Sequence, residues 1–240
     1  MAAAVVMAAL VGLISPAAAF TDVGLNHPFR TEIRWASNNG IVNGYPDNTF
    51  RGNGQVTRQA ASAFTYRFAA APGFIPGPPS FSDVPPDHVF FLEIEWMAAA
   101  GITEGYSNGT FKPGWPVTRQ AMAAYICRLF DCYDGAPSPN ALPQFFFDVS
   151  RSHPFFIEIT FAYLTEITDG YPYGFGYIFK PSGIVTRQAA TAFIYRIHRL
   201  LEGAQPGGGS GATGASGAGE LEVPGYPDWT LNPLGELSAG

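Results

Sequence analysis

The chain has 240 residues, 47% of them hydrophobic and only 13% charged, enough for one well-buried domain or several small ones. That composition excludes a disordered chain and a nucleic-acid binder with a basic field. The net charge of −6 is unevenly placed, because five acids and no base follow Arg199, so the rest is nearly neutral and any recognition of charge must be local.

Residues 1–19 carry no charge and end in small residues suited to signal-peptidase cleavage, although the usual basic start of a signal is missing. Pro16 and the alanine-rich composition favour cleavage over a membrane anchor, so export is expected, with Phe20 as the mature start and no membrane contact afterwards.

From there a pattern recurs three times. FTDV at 20–23 matches FSDV at 81–84 and FFDV at 146–149; NGYPDNTF at 43–50 matches EGYSNGTF at 104–111 and DGYPYGFGYIF at 169–179. Each copy then reaches VTRQA, at 56–60, 117–121 and 185–189. The third copy carries an insertion after Tyr171. The expected units are 20–71, 81–134 and 146–202, each reading helix, loop, helix.

The first helix of a unit is expected from His27–Pro28 to Asn39, with Pro in the first turn and Gly40 in the left-handed position beyond the end. Gly101 is its second equivalent. The third copy has Glu166 there, so that helix is expected to end differently. Phe29, Ile33 and Ala36, like Phe90, Ile94 and Met97, keep helical spacing, and Trp35 and Trp96 read as core. The loop is rich in turn residues, with its Tyr and Phe expected on the core and Asp47 and Asn48 as turn formers, since the spacing of a calcium loop is absent. The second helix starts after Thr57, its N-cap, and buries Ala60, Ala61, Phe64 and Phe68. One such pair is too small to bury its face alone; three packed about an approximate threefold axis could.

With threonine as N-cap, Arg58, Arg119 and Arg187 take the first helical position, where a cation costs a few tenths of a kcal/mol against the helix dipole. A guanidinium beside exposed helix N–H groups would instead suit a carboxylate or phosphate. A purely structural role is the competing reading. Arg67, Arg128 and Arg196 come nine residues later, on the other side of the helix, and read as a latch to Glu32, Glu93 and Glu158. Three anion sites on one frame would favour a repeating anionic glycan through effective concentration, and aromatic residues offer faces to sugar rings.

The F-x-D-V start, the His-aromatic helix entry, the G-Y-x-x-x-T-F loop and V-T-R at the second helix resemble the S-layer homology domain family over about residues 20–200. The resemblance implies an all-α fold of three helix-loop-helix repeats forming a pseudo-threefold, three-pronged spindle. It also implies non-covalent anchoring to the bacterial cell wall, through grooves that bind an anionic secondary cell-wall polymer, notably one bearing pyruvate ketals. The carboxylate-binding role falls to Arg58, Arg119 and Arg187. Asp22, Asp83 and Asp148 become groove members, or else caps of the first helix. The family glutamate after T-R-A is here Ala60, Ala121 and Ala189, and the family tryptophan after the histidine is Pro28, Val89 and Pro154. Phe29, Phe90 and Phe155, one residue along, are its candidate replacements as sugar platforms.

An enzyme is not expected, because no nucleophile elbow, zinc-binding helix or phosphate loop occurs. No cofactor or metal is expected either. The contrasting reading is a structural or adhesive surface protein whose repeats bind another protein or a neighbouring copy. Cys127 and Cys132 are either a local disulfide, which needs the helix to end between them, or two half-buried thiols. Residues 203–240 read as a flexible Gly/Ser-rich linker and an acidic tail, either disordered or a small docking segment holding Trp229 and Tyr226.

Overall fold

The computed structural model describes residues 20–71, 73–203 and 221–231. The expected signal at 1–19, most of the linker and the end of the tail lie outside these residues. Among them are six α-helices: α1 (Arg30–Asn38), α2 (Arg58–Ala69), α3 (Phe91–Ala99), α4 (Arg119–Leu129), α5 (Phe156–Leu164) and α6 (Arg187–Gly203). Two antiparallel hairpins join them, β1 (Tyr171–Tyr173) with β2 (Gly176–Ile178), and β3 (Leu221–Val223) with β4 (Tyr226–Leu231).

The long helices begin as their sequence dictates. Thr57 and Thr118 hold extended backbone, and their hydroxyls accept from the N–H groups of Ala60 and Ala121. Thr186 does the same for Ala189. The short helices begin later than expected. At α1, α3 and α5 the residues that flank the helix are Phe29, Phe90 and Phe155, and Pro28 stays outside. The preceding His27, His88 and His153 explain the delay, since Nδ1 of each accepts from the N–H of the phenylalanine two residues on. Gly40 and Gly101 take the expected left-handed conformation at φ 68°. Contrary to expectation, α5 ends the same way, because Glu166 accepts φ 58° without a glycine, at a cost of about 1–2 kcal/mol.

Which helices pair was not legible in the spacing. Each short helix packs on the long helix of a different copy: α3 on α2, α5 on α4, and α1 on α6. Tyr66 of α2 meets Trp96 of α3 edge-on, and Trp35 of α1 stacks on His198 of α6 at 4.5 Å. Trp96 is buried as expected, whereas Trp35 is only partly buried.

The valines of the three VTRQA motifs close this arrangement. Val56 donates to the carbonyl of Val185, Val117 to that of Val56, and Val185 to that of Val117, at 2.8–3.0 Å. All three side chains are buried. Cys127 and Cys132 form a disulfide, with α4 ending between them at Leu129. Just beyond it the tail hairpin docks: Trp229 is fully buried, lies against Phe161, and its indole N–H donates 2.6 Å to the Cys132 carbonyl.

Candidate functional site

At each long-helix start the first two amide N–H groups are already taken. Arg58 and Gln59 donate to the carbonyls of Trp115 and Pro113, Arg119 and Gln120 to Gly183 and Pro181, and Arg187 and Gln188 to Gly54 and Gly52. The third goes to the threonine cap. The expectation of open helix amides for an anion is therefore overturned: the loop of another copy consumes them.

The guanidinium groups follow the same path. Nε of Arg58, Arg119 and Arg187 donates to the carbonyls of Phe111, Phe179 and Phe50, at 2.7, 2.7 and 2.9 Å. Arg119 adds the Thr168 hydroxyl, and Arg187 the Asn43 carbonyl. Burial pulls Arg119 and Arg187 below the ordinary arginine value, opposed by Tyr171 and Asp148 for the first and by Tyr45 and Asp22 for the second. Both stay cationic at neutral pH.

The accepting phenylalanines are held from behind by the three aspartates. Asp22 accepts from the N–H groups of Phe50 and Arg51, Asp83 from Phe111 and Lys112, and Asp148 from Phe179 and Lys180, all at 2.7–2.8 Å. These aspartates do not cap the first helix. They clamp a sharp bend in which Arg51, Lys112 and Lys180 all adopt φ of 55–59°, a conformation disfavoured for any residue with a side chain. Burial would raise the Asp22 carboxyl, but the Phe50 and Arg51 amides outweigh it and hold it below the usual range. The structure thus brings each aspartate and arginine together through one peptide unit, carboxylate on its N–H and guanidinium on its carbonyl.

Over each guanidinium lies a loop tyrosine, expected in the core but found at the surface. Tyr106 sits 4.9 Å from Arg58, Tyr171 4.8 Å from Arg119 and Tyr45 5.1 Å from Arg187. Their exposures of 38%, 39% and 37% mark them as a matched surface set, while the neighbouring Phe50, Phe111 and Phe179 are buried as expected. A second cation lies over each tyrosine: Lys112 at 4.1 Å, Lys180 at 4.3 Å and Arg51 at 4.0 Å. Arg58 and Arg119 are themselves buried at 7% exposure and Arg187 is partly buried, so each niche presents an exposed ring and its second cation, with the guanidinium charge behind them, beside which an anion could sit. The sequence carries a signal for the second cations, since each directly follows the loop phenylalanine.

Phe29, Phe90 and Phe155 are not part of these niches. They are partly buried against the core where the short helices begin, and the rings over the guanidinium groups are other residues. The expected latch from the second arginines to Glu32, Glu93 and Glu158 is also overturned. Arg67, Arg128 and Arg196 donate to the carbonyls of Ile41, Ile102 and Ile167, just after the short helices. Arg128 and Arg196 pair with Glu104 and Asp169. Glu158 accepts from the Tyr133 hydroxyl instead, and burial, then that bond, pushes Tyr133 up to about 12. Among the described residues no cluster of His, Cys, Asp or Glu is arranged to hold a metal ion, and no helix is long and apolar enough to cross a membrane.

These features define a mostly helical repeat protein with matched cation–aromatic niches where its copies meet. Residues 19–62 and 80–123 match the family model of the S-layer homology domain. Two proteins of Acetivibrio thermocellus are similar. One is Cell surface glycoprotein 1, 27% identical over 169 residues that cover 63% of this chain and 7% of that protein. The other is a Cellulosome-anchoring protein, 29% identical over 135 residues, 52% of this chain and 30% of that protein. The chain thus spans less than a third of the length of either relative.

Proposed function

We propose that the chain anchors a protein non-covalently to the cell wall, by holding an anionic secondary wall polymer in the niches of Arg58, Arg119 and Arg187. The observation that carries this reading is the tyrosine flanked by two cations, present three times. A carboxylate on a sugar ring meets both demands of such a niche, charge from the cations and an apolar face from the ring. A polymer bearing pyruvate ketals is the kind the resemblance implies. The two matched segments and the third copy, 146–202, form one three-repeat unit in this reading, a pseudo-threefold spindle. The circular pairing of helices and valines supports it. The protein is exported and non-enzymatic, and the names of the two relatives, one at the cell surface and one anchoring cellulosomes, agree with a surface role.

The test is co-sedimentation of the full chain with purified sacculi, before and after the secondary polymer is stripped. Alanine in place of the three niche arginines would also remove bonds between copies, so the cleaner variant is Lys112→Gln with Lys180→Gln, which loses the charge and keeps a polar side chain one atom shorter. Circular dichroism checks that it is folded. Polymer-dependent binding that the double variant weakens supports wall anchoring. Binding unchanged by both treatments sinks it.

A second reading, an adhesive or self-associating surface protein, is favoured by one observation. The β1–β2 hairpin and its neighbour expose Tyr173, Phe175, Tyr177 and Phe147 together. Concentration-dependent association in sedimentation velocity, lost in Phe175→Ser, would support it.

A further inference from the structure

The three niches differ in their acids: Glu104 and Asp169, where the first loop has Asn43, are paired with Arg128 and Arg196, whereas Asp47 of the first loop has no acidic counterpart. In the first copy's loop Asp47 sits four residues before Arg51, and its carboxylate meets the Arg51 guanidinium at 2.9 Å. The second copy has Asn108 in the equivalent place, ahead of Lys112, and the third copy has no acid between Tyr171 and Lys180. Among the described residues neither lysine makes an ion pair. Asp47 and Asn108 otherwise do the same work. Each accepts from the N–H and hydroxyl of the threonine two residues on, Thr49 or Thr110.

We infer that Asp47 weakens one of the three niches for anions by occupying Arg51 and adding a negative charge, so that the niches of Arg58 with Lys112 and of Arg119 with Lys180 take the anionic group first. The inference rests on the wall-polymer reading above. Arg119 and Arg187 each spend two donors within the protein and Arg58 one, so the ion pair at Arg51 is what sets this niche apart. Asp47 is ionised across the physiological range. Hydrogen bonds from the Thr49 hydroxyl, then from Arg51, hold its carboxyl at about 2. Its position is surface-exposed, so screening by water limits the effect. A unit charge about 7 Å from a bound anion in water changes affinity about threefold.

Asparagine at 108 shows that the loop tolerates either residue, which makes exchange at both positions a controlled test. The full chain is titrated against purified sacculi as parent, Asp47→Asn, Asp47→Asn with Arg51→Gln, and Asn108→Asp, beside the Lys112→Gln/Lys180→Gln variant. The expected results are binding about threefold tighter for Asp47→Asn, loss of that gain when Arg51→Gln is added, and binding about threefold weaker for Asn108→Asp. Unchanged affinity in Asp47→Asn and Asn108→Asp, with weakening only in the lysine variant, overturns the inference and leaves the wall-polymer reading standing. A gain that survives Arg51→Gln overturns the role given to Arg51. If the lysine variant also binds like the parent, the niches hold no anion and both readings fall together.

Discussion

Replacing Asp83 by alanine removes the acceptor of two short bonds, from Phe111 N–H at 2.7 Å and Lys112 N–H at 2.8 Å. A hydrogen bond to a charged group contributes about 1.5–3 kcal/mol. The carboxylate is only partly buried, so water would recover part of the loss. Lys112, however, is held at φ 58°, which costs about 1–2 kcal/mol that the clamp no longer offsets. A net loss of about 2–4 kcal/mol is expected, within the 5–15 kcal/mol typical of a domain, so the variant should still fold. Urea unfolding followed by circular dichroism measures it. Asp83→Asn keeps one acceptor oxygen and should lose roughly half as much. The Phe111 carbonyl takes the Arg58 bond, so wall binding should fall too, although both niche cations remain. A loss under about 0.5 kcal/mol with unchanged m-value would refute the clamp.

Asp22 carries a pH signature. Its folded pKa lies below the unfolded value of about 3.9, so its stabilisation is fully present above that pH and disappears as pH falls through the lower folded pKa. Asp22→Asn should flatten the acid limb of a stability–pH curve followed by circular dichroism. Gly105→Ala should destabilise by about 2–3 kcal/mol in urea titration, since φ is +67° and the new methyl would meet the Phe81 ring and, at 2.8 Å, the Thr110 carbonyl. Reducing the Cys127–Cys132 bridge opens a loop of so few residues that the loss should be about 2 kcal/mol, read as a shift in urea midpoint. Trp229→Ala should free the tail hairpin without unfolding the helices, seen as faster amide exchange at residues 221–231.

The parts legible in the sequence were those fixed locally. Threonine caps, Gly40 and Gly101, and the first-turn position of the arginines depend on a few neighbouring residues, and each appears where the sequence put it. Pairing of helices depends on what a buried face meets. An apolar stripe on α1 says that the face is covered, not that the cover comes from α6, more than a hundred residues away. The loop tyrosines depart from the expected core position for a related reason. Tyr45, Tyr106 and Tyr171 are as apolar as core residues in a count, yet each follows a glycine in the turn. Its phenol stands over a guanidinium at the surface, and the phenylalanine further on fills the core. Tail docking depended on one indole finding a carbonyl that the end of α4 leaves open, which residue spacing does not encode.

The recurrence of VTRQA then has a reason in each letter. The valine passes a backbone bond to another copy, the threonine caps its own helix, and the arginine and glutamine amides and the guanidinium Nε all reach the next loop. The alanine supplies the N–H that the cap receives. A cation at the dipole's unfavourable end is thus retained because its fork spans two copies, through one donor of Arg58 and two each of Arg119 and Arg187. The rest of the planar group lies against an exposed ring with a second cation beyond it. Lysine could carry the charge but not hold the Phe111 carbonyl in the same fixed geometry. Junction and niche are the same atoms. Any change that loosens the contact between copies must therefore also move the guanidinium, whereas the charge of a niche can be varied apart from the junction through the second cations, whose backbone N–H groups bond within their own copy.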